Sequence, residues 1–156
     1  MSTVAKQFAK IIGDPNHTVK ISADSHNQVI GGNYDFSGHG NQRLNYNSID
    51  QLSSAKGGFS PASVTTHETT EAYQGLLNGN NFGQAHQTAI QYENLVRIQE
   101  GLGPRIGESS TLTNGGTGAR IEVNFSFYKE LINVNLQVPS VTSTQSVPSM
   151  QPAPVN

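Results

Sequence analysis

The chain has 156 residues, 34% of them hydrophobic, 13% charged and 7% aromatic, with 16 Gly, 7 Pro and no Cys. That length fits one domain with a core large enough to fold alone, and a charged fraction about half the roughly 25% of an average soluble domain leaves Asn, Gln, Ser and Thr to supply most of the surface. A formal net charge of -2 offers no basic footprint for a phosphate backbone or an anionic membrane, so no nucleic acid and no membrane is expected as a partner.

The absence of Cys excludes disulfides, thiol nucleophiles and thiolate zinc sites, so any metal must be held by His and carboxylate. No stretch approaches the roughly 20 apolar residues of a membrane span, and the N-terminus lacks the apolar run of a secretory signal. The expectation is a cytoplasmic protein or one exported by a specialised secretion system.

In chain order, Val4, Phe8, Ile11 and Ile12 stand at helical spacing before Gly13-Asp14-Pro15, which predicts a short amphipathic helix. Residues 17–22, 28–30 and 43–49 read as short strands of a small sheet, separated by the turn-forming runs Gly31-Gly32-Asn33 and Ser37-Gly38-His39-Gly40-Asn41. Ser60-Pro61 supplies an N-cap hydroxyl and a Pro at the first helical position, and the pattern then runs unbroken to Leu77. After Asn78-Gly79-Asn80-Asn81 a second helix is predicted over 84–100, between Gly83 and Gly101, with Ala89, Ile90, Leu95, Val96 and Ile98 on its buried side.

Residues 108–119 hold almost nothing apolar and read as a mobile loop. Ile121, Val123, Phe125 and Phe127, then Ile132, Val134, Leu136 and Val138, alternate with polar residues, which predicts two antiparallel strands. The stretch 139–156 carries four of the seven prolines among Ser, Thr and Gln, and is expected to be a disordered tail or one ordered only by a partner protein.

Chemistry concentrates in Thr65-Thr66-His67-Glu68-Thr69-Thr70-Glu71-Ala72-Tyr73. In a helix His67 and Glu71, four apart, project from one face close enough to bind a single ion. Glu68 lies about 100° round the helix, where a carboxylate reaches a metal-bound water without ligating the metal. This is the H-E-x-x-H helix with its second His replaced by Glu.

For a third ligand the first candidate is His86, at the start of the next helix after a short Gly/Asn-rich turn. The second is Glu93, two turns further along the same face, so that one of the two ligates while the other orients it or a neighbour. No Lys or Arg falls between Lys56 and Arg97, a local surplus of carboxylate beside two His that favours a cation.

At these residues the sequence resembles the zincin-like metallopeptidase domains of bacterial polymorphic and Rhs-type toxins and secreted effectors. The resemblance rests on His67-Glu68-Thr69-Thr70-Glu71-Ala72-Tyr73, Ala85-His86 and Tyr92-Glu93-Asn94-Leu95-Val96-Arg97, and covers roughly residues 43–106. It implies one zinc ion on His67, Glu71 and His86, Glu68 as general base, and a peptide or protein substrate. Glu71 departs from the family, where most members have His.

The fold expected is a single α+β domain over 1–138, with a small, mostly antiparallel sheet packed on a zincin-like helix pair and the tail at 139–156. The function expected is zinc-dependent peptide-bond hydrolysis. The alternative is a non-catalytic assembly module of a secretion or phage-like particle, with a structural or vestigial metal site. His17, His26 and His39 read as turn or surface residues, Arg97 and Arg105 as cations for Glu93, for a substrate carboxylate or oxyanion, or above all for surface or helix-terminal salt bridges, and Tyr73 and Tyr92 as core aromatics with a polar tip.

Overall fold

The computed structural model describes residues 2–24, 32–34, 40–54, 59–79, 81–113, 118–125 and 129–135. The strand read at 28–30, His26, His39, Phe127, Leu136, Val138 and the tail lie outside the described residues. The fold is α+β, with four helices and two three-stranded sheets among the described residues.

Helix α1 (Thr3–Gly13) opens with Ser2 accepting the Ala5 N–H and closes at Asp14. Its buried residue is Gln7, whereas Ile12 is 82% exposed. The apolar stripe of α1 lines an open groove of about 310 Å³ together with Val19, Ile21 and Thr69, so it is less sheltered than its periodicity suggests.

Strand β1 (Lys20–Asp24) runs parallel to β3 (Asn41–Asn45), pairing Lys20 with Asn41, while β2 (Gly32–Tyr34) runs antiparallel to β3 on its other side. The strand read over 43–49 ends early: helix α2 (Tyr46–Ser54) begins where it was expected to continue. The cause is Asn45, whose side-chain oxygen takes the Ser48 N–H at 3.1 Å and whose backbone carbonyl takes the Ser48 hydroxyl at 2.9 Å, a helix-starting cap. Ile49 and Leu52 then fall on the buried side of α2.

Helix α3 (Pro61–Leu77) follows a reciprocal capping box in which Ser60 and Ser63 each accept the other's backbone N–H. Helix α4 (Phe82–Gln99) is capped by Asn81 and so starts two residues before the expected position, with Gly83 inside it. Ala72, Ala85 and Ala89 are fully buried, and such small side chains let neighbouring helices approach closely. Helix α3 also packs on β2 and β3, which leaves it enclosed on more than one side. Among the described residues no helix is long and apolar enough to cross a membrane.

The second sheet is an antiparallel meander of β4 (Arg105–Thr113), β5 (Gly118–Phe125) and β6 (Lys129–Asn135). The β5–β6 pair matches the expectation from alternation. The mobile loop expected over 108–119 does not hold for its described part, because Glu108 to Thr113 pair residue for residue with Val123 back to Gly118. A polar sequence suffices there for strand pairing, since the ladder hydrogen bonds come from the backbone.

Candidate metal centre

The interface of α3 and α4 is polar where a core would normally be apolar. His67, Glu68 and Glu71 on α3 and Glu93 and Arg97 on α4 are all buried, as is Arg105 at the start of β4. Buried charges persist only when paired, and the pairing here is specific.

Glu71 Oε2 lies 3.5 Å from His67 Nε2 and 2.6 Å from His86 Nδ1, so one carboxylate oxygen stands between the two imidazoles. One ligand atom from each of His67, Glu71 and His86 falls within 4.8 Å of the others. A tetrahedral ion with bonds of about 2.0 to 2.2 Å separates its ligand atoms by roughly 3.3 to 3.6 Å. The His67–Glu71 spacing already meets that, whereas His86 Nδ1 and Glu71 Oε2, at the hydrogen-bond distance of 2.6 Å, would part by about 0.7 to 1.0 Å around an ion.

The sequence left His86 and Glu93 open as third ligand, and the structure separates their positions. Glu93, only 1% exposed, lies behind His67: its Oε2 accepts from Nδ1 at 3.0 Å, which turns the Nε2 edge of the ring towards Glu71 and His86. His86 belongs to the cluster itself, its ring 4.8 Å from that of His67 and edge-on to it. Phe82, one turn earlier and half exposed, stacks on the His86 ring at 5.2 Å.

Glu68 is not one of the three converging side chains, as its position round the helix requires, but it lies near enough to feel the charges of His67 and Glu71. Its Oε2 accepts from Gln42 Nε2 on β3 at 2.5 Å, and Gly32 on β2 approaches so closely that a Cβ there would collide with the carboxylate. Burial pushes the Glu68 carboxyl up to about 8, opposed by the nearby His67 and helped by the negative charges of Glu71 and Glu108.

His67 and Glu71 shift in opposite directions. Burial pulls the His67 imidazole down, but its hydrogen bonds to Glu71 and Glu93 overcome this and raise it to about 9. Burial pushes Glu71 up, yet the bonds from His67 and His86 hold it at about 2. In the absence of an ion the cluster therefore keeps a proton on His67 at neutral pH, which serves as the local countercharge that a divalent cation would replace.

Two residues of this neighbourhood, Gln42 and Glu108, carry no motif and escape the sequence reading, whereas the pairing of Arg105 with Glu93 is one the sequence offers. Arg105 pairs with Glu93 through Nη2 and with Glu108 through Nη1, the latter at 2.5 Å. Arg97 donates to the Gly103 carbonyl at 2.9 Å and, like Arg105, lies over the Phe59 ring. Tyr73 is buried with its hydroxyl on Asp14 at 2.7 Å, the expected core aromatic with a polar tip.

A scan of the chain against protein-family models and searches of curated proteins and of solved structures found no match.

Proposed function

We propose that the protein is a metal-dependent hydrolase of peptide bonds, with one divalent ion, zinc by preference, held by His67, Glu71 and His86. The single observation that carries this reading is the convergence of two imidazoles and a carboxylate on one point inside an otherwise enclosed interface, with Glu93 fixing the His67 ring from behind. Imidazole, carboxylate and imidazole with an open fourth position is a catalytic rather than a structural zinc composition. Such an ion supplies Lewis acidity and an acidified water.

Glu68 is the general base in this reading. Gln42 holds its Oε2, which leaves Oε1 to take a proton from the attacking water and return it to the leaving amine. Burial raises this carboxyl to about 8 in the ion-free cluster, and the positive charge of a bound ion would lower it into the range where a group accepts and then donates a proton. Glu71, a harder donor than imidazole, adds negative charge and makes the bound water less acidic than at an all-His site.

The test is a comparison of zinc-loaded parent and Glu68→Gln on a fluorogenic peptide library, with zinc content measured in parallel. The reading predicts unchanged zinc content and loss of nearly all hydrolysis in the variant. Equal activity in the two proteins removes Glu68 from the chemistry.

A further inference from the structure

Resting on the metal reading above, we propose that Arg105 is a positioning residue whose single guanidinium holds, through Glu93 and Glu108, the outer sides of both imidazoles that bind the ion. On the His67 side, Nη2 pairs with the Glu93 oxygen that accepts from His67 Nδ1, and stands 2.9 Å from that nitrogen. On the His86 side, Nη1 holds Glu108 Oε2 at 2.5 Å, and the other oxygen of Glu108 faces His86 Nε2 at 3.8 Å. Each imidazole thus turns one nitrogen to the cluster and the other to a carboxylate, and the two carboxylates share one fork.

The chain goes to some length to build this arrangement. Residues three apart on a regular strand point to opposite faces. Between Arg105 and Gly107 the β4–β5 register shifts by one, Arg105 opposing Phe125 and Gly107 opposing Asn124, so Ile106 is the extra residue and is left exposed. That bulge restores Arg105 and Glu108 to the same side. Asn94, the residue after Glu93, fixes the strand to α4 by accepting the Arg105 N–H at 2.7 Å and donating to its carbonyl at 2.8 Å.

Arg105 is only 3% exposed and both its terminal nitrogens are engaged, so it does not receive a substrate carboxylate. Charge alone gives it the wrong sign for a metal site. A cation beside a cation site weakens binding, so neutralising it should tighten binding if charge were all that mattered, whereas loss of a positioning fork should loosen it.

The experiment measures zinc affinity by chelator competition and the visible spectrum of the cobalt(II)-loaded protein, for the parent, Arg105→Lys and Glu108→Asp. Both substitutions keep charge and change only reach and fork geometry. The proposal predicts zinc binding weakened about tenfold or more in Arg105→Lys and several-fold in Glu108→Asp, with a shifted cobalt spectrum in each. Affinity and spectrum unchanged in both variants, with or without a lower melting temperature, overturn it and leave the metal reading intact. A parent that binds neither zinc nor cobalt overturns the metal reading and this role together. If Arg105→Lys fails to fold, half-exposed Glu108 decides the outcome through Glu108→Asp.

Discussion

Helix α3 carries a carboxylate–histidine cluster on each of two opposite sides, and the two are built to different ends. On one side Asp14, His17 and Tyr73 form a closed set. Asp14 Oδ1 takes the backbone N–H groups of Asn16 and His17, and Oδ2 takes the Tyr73 hydroxyl at 2.7 Å and His17 Nδ1 at 3.0 Å. Every carboxylate oxygen there is answered by donors from nearby, and a single imidazole leaves no second ligand to converge with it. On the other side two imidazole nitrogens, from His67 and His86, and a carboxylate oxygen of Glu71 meet at a common point, with further carboxylates behind the rings. The same residue types make a structural lock in the first case and a candidate cation site in the second. What separates them is whether one imidazole meets the carboxylate beside backbone and phenol donors, or two imidazoles meet it with further carboxylates behind them.

Substitutions on the two sides break that comparison most strongly. His67→Ala should weaken zinc binding by at least about a thousandfold and Glu71→Ala by well over tenfold, because an ion left with two protein ligands is no longer enclosed. Glu71→His should retain zinc. Asp14→Ala and His17→Ala should leave zinc affinity within about twofold, which chelator competition reads directly; a comparable loss there would merge the two clusters into one.

Stability should follow burial. Glu93→Ala takes from buried Arg105 its buried partner, leaving it only the more exposed Glu108, and should cost about 3 to 5 kcal/mol in urea unfolding, as for other buried pairs broken on one side. Gly32→Ala, whose Cβ would meet the Glu68 carboxylate and Gln42 Nε2, should cost about 1 to 3 kcal/mol and leave zinc affinity almost unchanged.

The pH responses should differ in sign and range. Because His67 is raised to about 9 without an ion, zinc must displace its proton, so affinity should climb by about tenfold per unit from pH 6 towards pH 9 and level off beyond it. Asp14 behaves in the opposite range. The Tyr73 hydroxyl, the Asn16 N–H and His17 hold its carboxyl well below the usual carboxylate value. A lowered folded-state pKa means stabilisation that is present above about pH 4, the ordinary Asp range, and is lost as pH falls further. The melting temperature of Asp14→Asn should therefore fall less steeply than that of the parent below pH 4, the smallest of these effects.

The part of the site that lay in one stretch of helix was legible in the sequence. The i, i+4 spacing of His67 and Glu71, the Ser60-Pro61 start and the Gly/Asn turn before His86 are local signals, and local geometry decides them. Glu93 was legible as a candidate but not as the residue behind His67, since which imidazole it meets depends on how α3 and α4 pack. The carboxylate surplus between Lys56 and Arg97 was real, but one of its compensating cations, Arg105, arrives from beyond that window through a β-bulge that no periodicity announces.

Strand β4 was missed for a related reason. Glu108 to Thr113 contain one large apolar residue, so the search for alternation finds none, while Asn114-Gly115 before Gly118 is a hairpin signal that composition alone obscures. Helix α2 was missed because Asn45 acts as a cap only through its side-chain and carbonyl contacts to Ser48, whereas Leu44, Tyr46 and Ile49 look like strand.

The central claim, that His67, Glu71 and His86 hold one divalent ion, is tested most directly by an anomalous-scattering map from crystals of the protein grown with zinc. The account predicts one strong peak about 2.0 to 2.2 Å from His67 Nε2, Glu71 Oε2 and His86 Nδ1, with Glu93 still bonded to His67 Nδ1. A map with no peak between these residues, and with His86 Nδ1 still hydrogen-bonded to Glu71, would contradict it.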